Sequence, residues 1–273
     1  MKNTLILFFY FLLLVLFTGC EKPIERQVFV HFSDVNNASL KTHWNLRRIT
    51  LNEPLTASWL TASYQQEKLP FLTIYHPSNI TNSTFINELL DGVWDEDLHF
   101  LFTTIKNAGY PIFISLFPNI VLDKQIPAKL YQDSYRYVIN YAQSMGAYNT
   151  FNVFSLPMHH GEAINRFETH YPGNNVVDWI MLDQGDDVFS VNYFVDTINH
   201  LTLRSKHYLA AQINLTNAKV TEVEIHNFVK NSPALTAIFI TNHGFTNENI
   251  KKWLTEPLYD HGIDHVQKTL PSH

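Results

Sequence analysis

Tyr171-Pro172-Gly173-Asn174-Asn175-Val176-Val177-Asp178-Trp179-Ile180-Met181-Leu182-Asp183 is the stretch on which the fold turns. Pro172-Gly173 reverses the chain, and Val176 to Leu182 then reads as a buried strand that ends in the carboxylate of Asp183. Outward from it, short apolar, β-branched or aromatic runs recur: Gln27 to Phe32, Phe71 to Tyr75, Pro111 to Phe117, Asn152 to Leu156, Tyr208 to Ile213 and Ala234 to Ile240. A weakly marked run between Tyr75 and Tyr110 completes eight. Helical patterns separate them. In Glu96 to Asn107 the apolar residues Leu98, Leu101, Phe102 and Ile105 fall on one face behind an N-cap candidate, Asp95, and Tyr131 to Met145 repeats the pattern up to Gly146. Strand and helix in alternation predict βα units around a parallel sheet, here a single-domain (β/α)8 TIM barrel over residues 28–273.

Composition bounds the function classes. The chain has 273 residues, 45% of them apolar and 16% charged, within the globular range. Its formal charge of -6 supplies no basic footprint, so nucleic acid is not an expected partner. One cysteine excludes a disulfide framework within the chain and a Cys-rich zinc site. At the start, Lys2 precedes an unbroken apolar run from Leu5 to Phe17, then Thr18-Gly19-Cys20. Thirteen apolar residues are too few to span a bilayer, and the pattern is that of a secretory signal. Leu16-Phe17-Thr18-Gly19-Cys20 resembles the bacterial lipobox, which implies a signal peptide over 1–19, lipidation of Cys20 and a charged tether over 20–27. Residues 20 to 273, 254 in all, match the size of a TIM barrel. Glu21 rather than Asp follows the cysteine, so the expected place is the cell envelope, on the outer membrane where a cell has two.

Several consecutive stretches resemble glycoside hydrolase family 26, the barrels that include bacterial β-mannanases. The run from Tyr171 to Asp183 is similar to the family's Tyr-Pro-Gly-Asp-x-Tyr-Val-Asp-Trp-Val-Gly-x-Asp. Leu89-Leu90-Asp91-Gly92-Val93-Trp94-Asp95, then a helix, then Gly109-Tyr110-Pro111-Ile112-Phe113-Ile114, resembles its Gly-x-Tyr-Asp motif, helix and Gly-x-Pro-Val-Phe-Leu strand. Tyr135 to Asn152 and Lys206 to Gln212 agree in order and spacing, so the likeness covers roughly two-thirds of the chain, from about Trp59 to about Asn242. The family hydrolyses glycosidic bonds with two carboxylates about 5 to 5.5 Å apart, a general acid/base and a nucleophile. Carried over residue by residue, the acid falls on Asn119, its supporting Arg on Ser115 and the nucleophile on Gln212. An amide neither titrates near neutral pH nor attacks an anomeric carbon, but it hydrogen-bonds a hydroxyl.

The resemblance thus implies a sugar-shaped groove whose family acid and nucleophile are replaced, with Asn119, Gln212, Asp183, His31, His76 and His243 as candidate substrate-binding residues. The plainer alternative makes Asn119 a turn residue and Gln212 a strand-end residue. Glu162, Asp183, Asp186 and Asp187 remain as acids at the rim, and a relocated pair among them would give an active mannanase- or glucanase-type enzyme. His31, His76, His159, His160 and His243 follow predicted strand ends, and His31, His76 and His243 with Asp34 or Asp183 would form the metal-hydrolase alternative. No His-x-His stands on the first strand, so no metal or cofactor is expected. Trp44, Trp59 and Trp94 offer stacking faces, Trp179 reads as core, and Arg47-Arg48 reads as solvated surface. The expected partners are a polysaccharide or oligosaccharide and, through Cys20, the membrane; a structural or protein-contact lipoprotein is the remaining alternative.

Overall fold

The computed structural model describes residues 28–32, 44–185, 190–214, 221–241 and 259–260. The expected signal segment and tether, with Cys20, Asp34, Asp186, Asp187 and His243, lie outside the described residues. In chain order the elements are β1 (Val28–Phe32), β2 (Trp44–Thr50), α1 (Ala57–Gln65), β3 (Leu69–Tyr75), α2 (Asn82–Leu90), α3 (Asp95–Ala108), β4 (Ile112–Leu116) and α4 (Ala128–Ser144). Then follow β5 (Thr150–Pro157), α5 (Ala163–His170), β6 (Trp179–Asp183), α6 (Val191–Arg204), β7 (Tyr208–Asn214), α7 (Glu222–Asn231), β8 (Leu235–Thr241) and β9 (Tyr259–Asp260).

The strands form one sheet in the order β2-β3-β4-β5-β6-β7-β8-β1-β9, and every pairing is parallel. From β2 to β8 is six strand steps, about 29 Å in a flat sheet at roughly 4.8 Å each. Yet the rings of Trp44 on β2 and Phe239 on β8 lie 5.2 Å apart, and Phe71 on β3 sits 5.6 Å from Phe239. The sheet is therefore curled on itself with these rings inside it, a TIM-barrel-like α/β fold. Among the described residues no ladder joins β1 to β2.

Alternation along each strand sorts the two cores. Phe71, Phe113, Phe151, Val153, Trp179, Met181, Ala210, Ala237 and Phe239 join Trp44 in the interior, while Leu72, Ile74, Ile114, Phe154, Leu156, Ile180, Leu182 and Ile238 pack outward under the helices. Aromatic rings fill the half of the interior nearer the strand starts. Toward the strand ends the interior positions turn polar, with Ser115 and Ser155 sharing a buried 2.7 Å hydrogen bond.

Three sequence expectations are corrected. The strand expected between Tyr75 and Tyr110 is absent there; that segment forms α2 and α3, and the additional strand is β2. Trp44-Asn45-Leu46-Arg47-Arg48-Ile49-Thr50 hides its alternation behind two arginines, one on each face. Arg47 points outward, its guanidinium 5.5 Å from the centre of the Trp59 ring and 3.6 Å from Glu53. Second, Val176 and Val177 precede β6 rather than belong to it. They are buried in a turn that Asp178 closes by bonding the Asn152 backbone, with Asn152 N–H donating to its carboxylate at 2.7 Å. Third, α3 has Trp94 at its N-cap and Asp95 inside its first turn.

Candidate functional site

In parallel strands, residues in register present the same face, so the interior parity that places Phe71 and Trp179 in the core also turns Thr73, Tyr75 and Asp183 inward, higher in the barrel. Asp183 ends β6 and is in register with Gln212 on β7 and Pro157 on β5, while Arg48 on β2 is in register with Thr73 on β3. These side chains meet in one cavity at the C-terminal end, lined by Arg48, Thr73, Tyr75, Asp183 and Gln212 above and by Ser155, Met181 and Phe71 below. Its volume is about 60 Å³. A water needs roughly 10–15 Å³ of such space, so the cavity has room for about four to six waters or for several hydroxyl groups of a ligand.

Supporting contacts fix the polar wall. Gly185 N–H donates to Asp183 Oδ1 at 3.0 Å. Buried Gln184 ties the ends of β6 and β7 together: its N–H donates to the Gln212 carbonyl at 3.1 Å, and its side-chain oxygen accepts from Asn214 N–H at 2.9 Å. Burial raises the Tyr75 phenol above its ordinary value; Arg48 pulls the other way and Asp183 adds to the rise. The wall therefore combines a cation, an anion, a neutral phenol and an amide, a donor and acceptor set suited to hydroxyl groups. Among the described residues lining the cavity, Asp183 is the only carboxylate. Retaining hydrolysis needs a second one about 5 to 5.5 Å away.

The other candidates fall elsewhere. Asn119 leaves β4 at the same end of the barrel, but Pro118 is the residue that lines the cavity. The cause is Phe117, held at φ 47 with its N–H on the Ile74 carbonyl at 2.8 Å, which turns the chain so that Asn119 opens a 3-10 turn over Ile120–Leu122. Glu162 is not in the lining: it faces Lys124 at 3.5 Å and Arg166 at 2.5 Å, and these cations hold its carboxyl below the ordinary range. A carboxyl so stabilised as the anion is a poor general acid. His76 follows β3, which pairs with β2 and β4 and not with β1; its ring contacts the Pro77 carbonyl at 2.8 Å and Phe85. The expected meeting of His31 and His76 on neighbouring strands is corrected accordingly. His31 is in register with Phe239, and its side chain lies outside the description, as does that of His160. His159 and His160 form a 3-10 turn, not a strand end. Among the described residues, no three His, Cys, Asp or Glu stand where they could hold a metal ion.

Trp44 and Trp179 are buried at 3% and 2% exposure, and Trp94 donates to Glu88 at 3.2 Å, so none of these rings offers its face to the cavity. Arg48, Tyr75 and Gln184 are the site residues that sequence reading missed. Strand parity was the available signal for the first two: Arg48 stands four residues after Trp44, and Tyr75 four after Phe71.

No family model matches the sequence, and no curated protein matches it. Solved structures do. GH26C from Muricauda sp. MAR_2010_75 superposes with a TM-score of 0.67 at 10% identity, covering 90% of this chain and 89% of that one. The catalytic domain of the Bacillus sp. JAMB-750 GH26 endo-β-1,4-mannanase gives 0.63 at 13% identity, over 86% and 87%. The GH26 β-mannanase of Bacteroides ovatus gives 0.61 at 11% identity, over 86% and 90%. The chain carries the fold of the glycoside hydrolase family 26 β-mannanases.

Proposed function

We propose that this is a lipid-anchored, glycoside hydrolase-like barrel that binds a polysaccharide at the cell envelope without cleaving it through the family's carboxylate pair. Cys20 carries the lipid, and the outer membrane is its place where a cell has two. The observation that carries the reading is Gln212, an amide at the nucleophile position implied by the resemblance, which shares the cavity with a single described carboxylate, Asp183. Arg48, Tyr75, Asp183 and Gln212 hydrogen-bond the hydroxyl-bearing arm of one sugar residue, while the rest of the chain lies across the rim.

Titrating the full-length protein with manno- and gluco-oligosaccharides, and assaying the same mixtures for new reducing ends, tests this. Binding without release of reducing ends is expected. Gln212→Ala and Asp183→Ala each weaken it about tenfold, the worth of one hydrogen bond to a buried polar group. Because Asp183 lines the cavity, a second reading is kept, an active hydrolase with relocated carboxylates. Turnover by the wild type that is lost in Asp183→Asn would replace the binding reading with that one.

A further inference from the structure

We propose that the N-terminal face of the barrel, opposite the cavity, docks on an anionic lipid surface and holds the mouth away from the membrane. This rests on the reading of Cys20 as the lipid-bearing residue. All strands run parallel, so their starting ends share one face with the last turns of the helices that lead into them. The chain enters β1 at Val28 on that face, eight residues after Cys20. Eight extended residues reach at most about 28 Å, so an acyl chain on Cys20 keeps this face close to the bilayer.

The chemistry of the face fits that neighbour. Among the described residues, its last helical turns and strand-entry connections carry five cations, Lys68, Lys106, Arg204, Lys206 and Lys230, against three carboxylates, Glu67, Glu168 and Asp178. Glu168 is spent on His200 at 2.8 Å and Arg204 at 3.5 Å, and Asp178 bonds the Asn152 N–H. Among the described residues these turns and connections are two charges positive, one with Asp260 of β9 at the start of β1 included, on a chain whose formal charge is -6. Three of the large apolar or aromatic side chains left exposed also stand here: Leu203 in the last turn of α6 at 86% exposure, Tyr148 before β5 at 67% and Tyr64 in the last turn of α1 at 57%. Tyrosines with apolar rings and polar tips suit the headgroup level of a bilayer, and lysines beside them suit anionic headgroups.

The test uses the full-length acylated protein in phosphatidylcholine vesicles with or without phosphatidylglycerol, seeded with nitroxide-bearing lipid. Single cysteines at Leu203→Cys and Tyr148→Cys carry a fluorophore. Val223→Cys, exposed in the first turn of α7 at the opposite end, is the control. Vesicles with phosphatidylglycerol should quench the labels at 203 and 148 at least several-fold more than the label at 223. Lys206→Glu should reduce the docked-to-undocked ratio about fivefold or more, the worth of one lysine near an anionic surface. Equal quenching at both ends, quenching indifferent to phosphatidylglycerol and to Lys206→Glu, or shielding that grows with protein concentration in detergent alone would overturn the proposal; the last would assign the face to a second copy of the chain. Intact mass separates the two readings. An acylated Cys20 without face-specific quenching sinks the docking alone, whereas an unmodified Cys20 sinks the anchor and the docking built on it.

Discussion

At the scale of single residues, the longest run of family resemblance serves two ends of the barrel. Asp183 reaches the cavity, but Tyr171, Asn174 and Asp178 gather at the opposite face around His207. The ring of His207 contacts the Tyr171 hydroxyl and Asn174 Oδ1, the latter at 3.1 Å, and lies against the Asp178 backbone. Burial lowers the His207 pKa below its ordinary 6.5, with Asp178 opposing, and burial also lowers that of His170. The unfolded chain therefore binds a proton at a pH where the folded chain does not. Stability from these rings is complete above about pH 6.5 and is lost as pH falls from there toward the folded values. Each contributes a slope of at most about 1.4 kcal/mol per pH unit. Urea unfolding from pH 7.5 down to 5 should show His207→Asn with a shallower loss than the wild type, and identical slopes would refute this role.

At the scale of elements, helix ends follow local rules that can be read directly. Gly109 closes α3 at φ 71 and nothing stands within 4 Å of where its side chain would be, so Gly109→Ala should cost only backbone strain, about 1 kcal/mol of unfolding free energy. At Gly92, φ is 79 and Asp95 Oδ2 would lie 3.3 Å from the new Cβ, so Gly92→Ala should cost more than Gly109→Ala; the reverse order would contradict the geometry. The same legibility covers β4, β6, β7 and β8, whose apolar runs are buried on both faces, and the site residues Asp183 and Gln212 at their ends. It fails at β2, where apolar periodicity is broken by Arg47 and Arg48. Arg47 is tolerated outside because its stem and guanidinium cover Trp59, and Arg48 inside because it stands at the polar end of the interior. Losing β2 from the count displaced β3 by one place, and with it the supposed neighbourhood of His31 and His76. The turn at Phe117 was equally hidden, since a bulky residue with positive φ is dictated by its surroundings, the Ile74 carbonyl and the Phe85 ring 4.9 Å away, and not by its own preference.

At the scale of the whole molecule, the curl of the sheet depends on what fills it. Trp44 reaches from β2 to rings on three strands, at 4.6 Å from Phe113, 5.2 Å from Phe239 and 6.2 Å from Phe71, all near edge-to-face. With Phe71, whose ring is 5.6 Å from Phe239, it links the two ends of the β2-to-β8 run, which no described hydrogen-bond ladder joins directly. Trp44→Ala removes a nearly fully buried ring from the middle of this plug, and the surrounding aromatics, packed against the strands that carry them, cannot collapse into the space. The expected cost is about 3 to 5 kcal/mol, seen as a lower urea midpoint with an unchanged slope. Trp94→Ala, which empties a half-buried site beside Phe85 on the outer surface, should cost visibly less. Because Phe71 is shared between the plug and the floor of the cavity, Trp44→Ala should also loosen the saccharide site above it, weakening oligosaccharide binding even where the protein remains folded. A Trp44→Ala protein with the wild-type midpoint would mean that the sheet holds its curl without this plug.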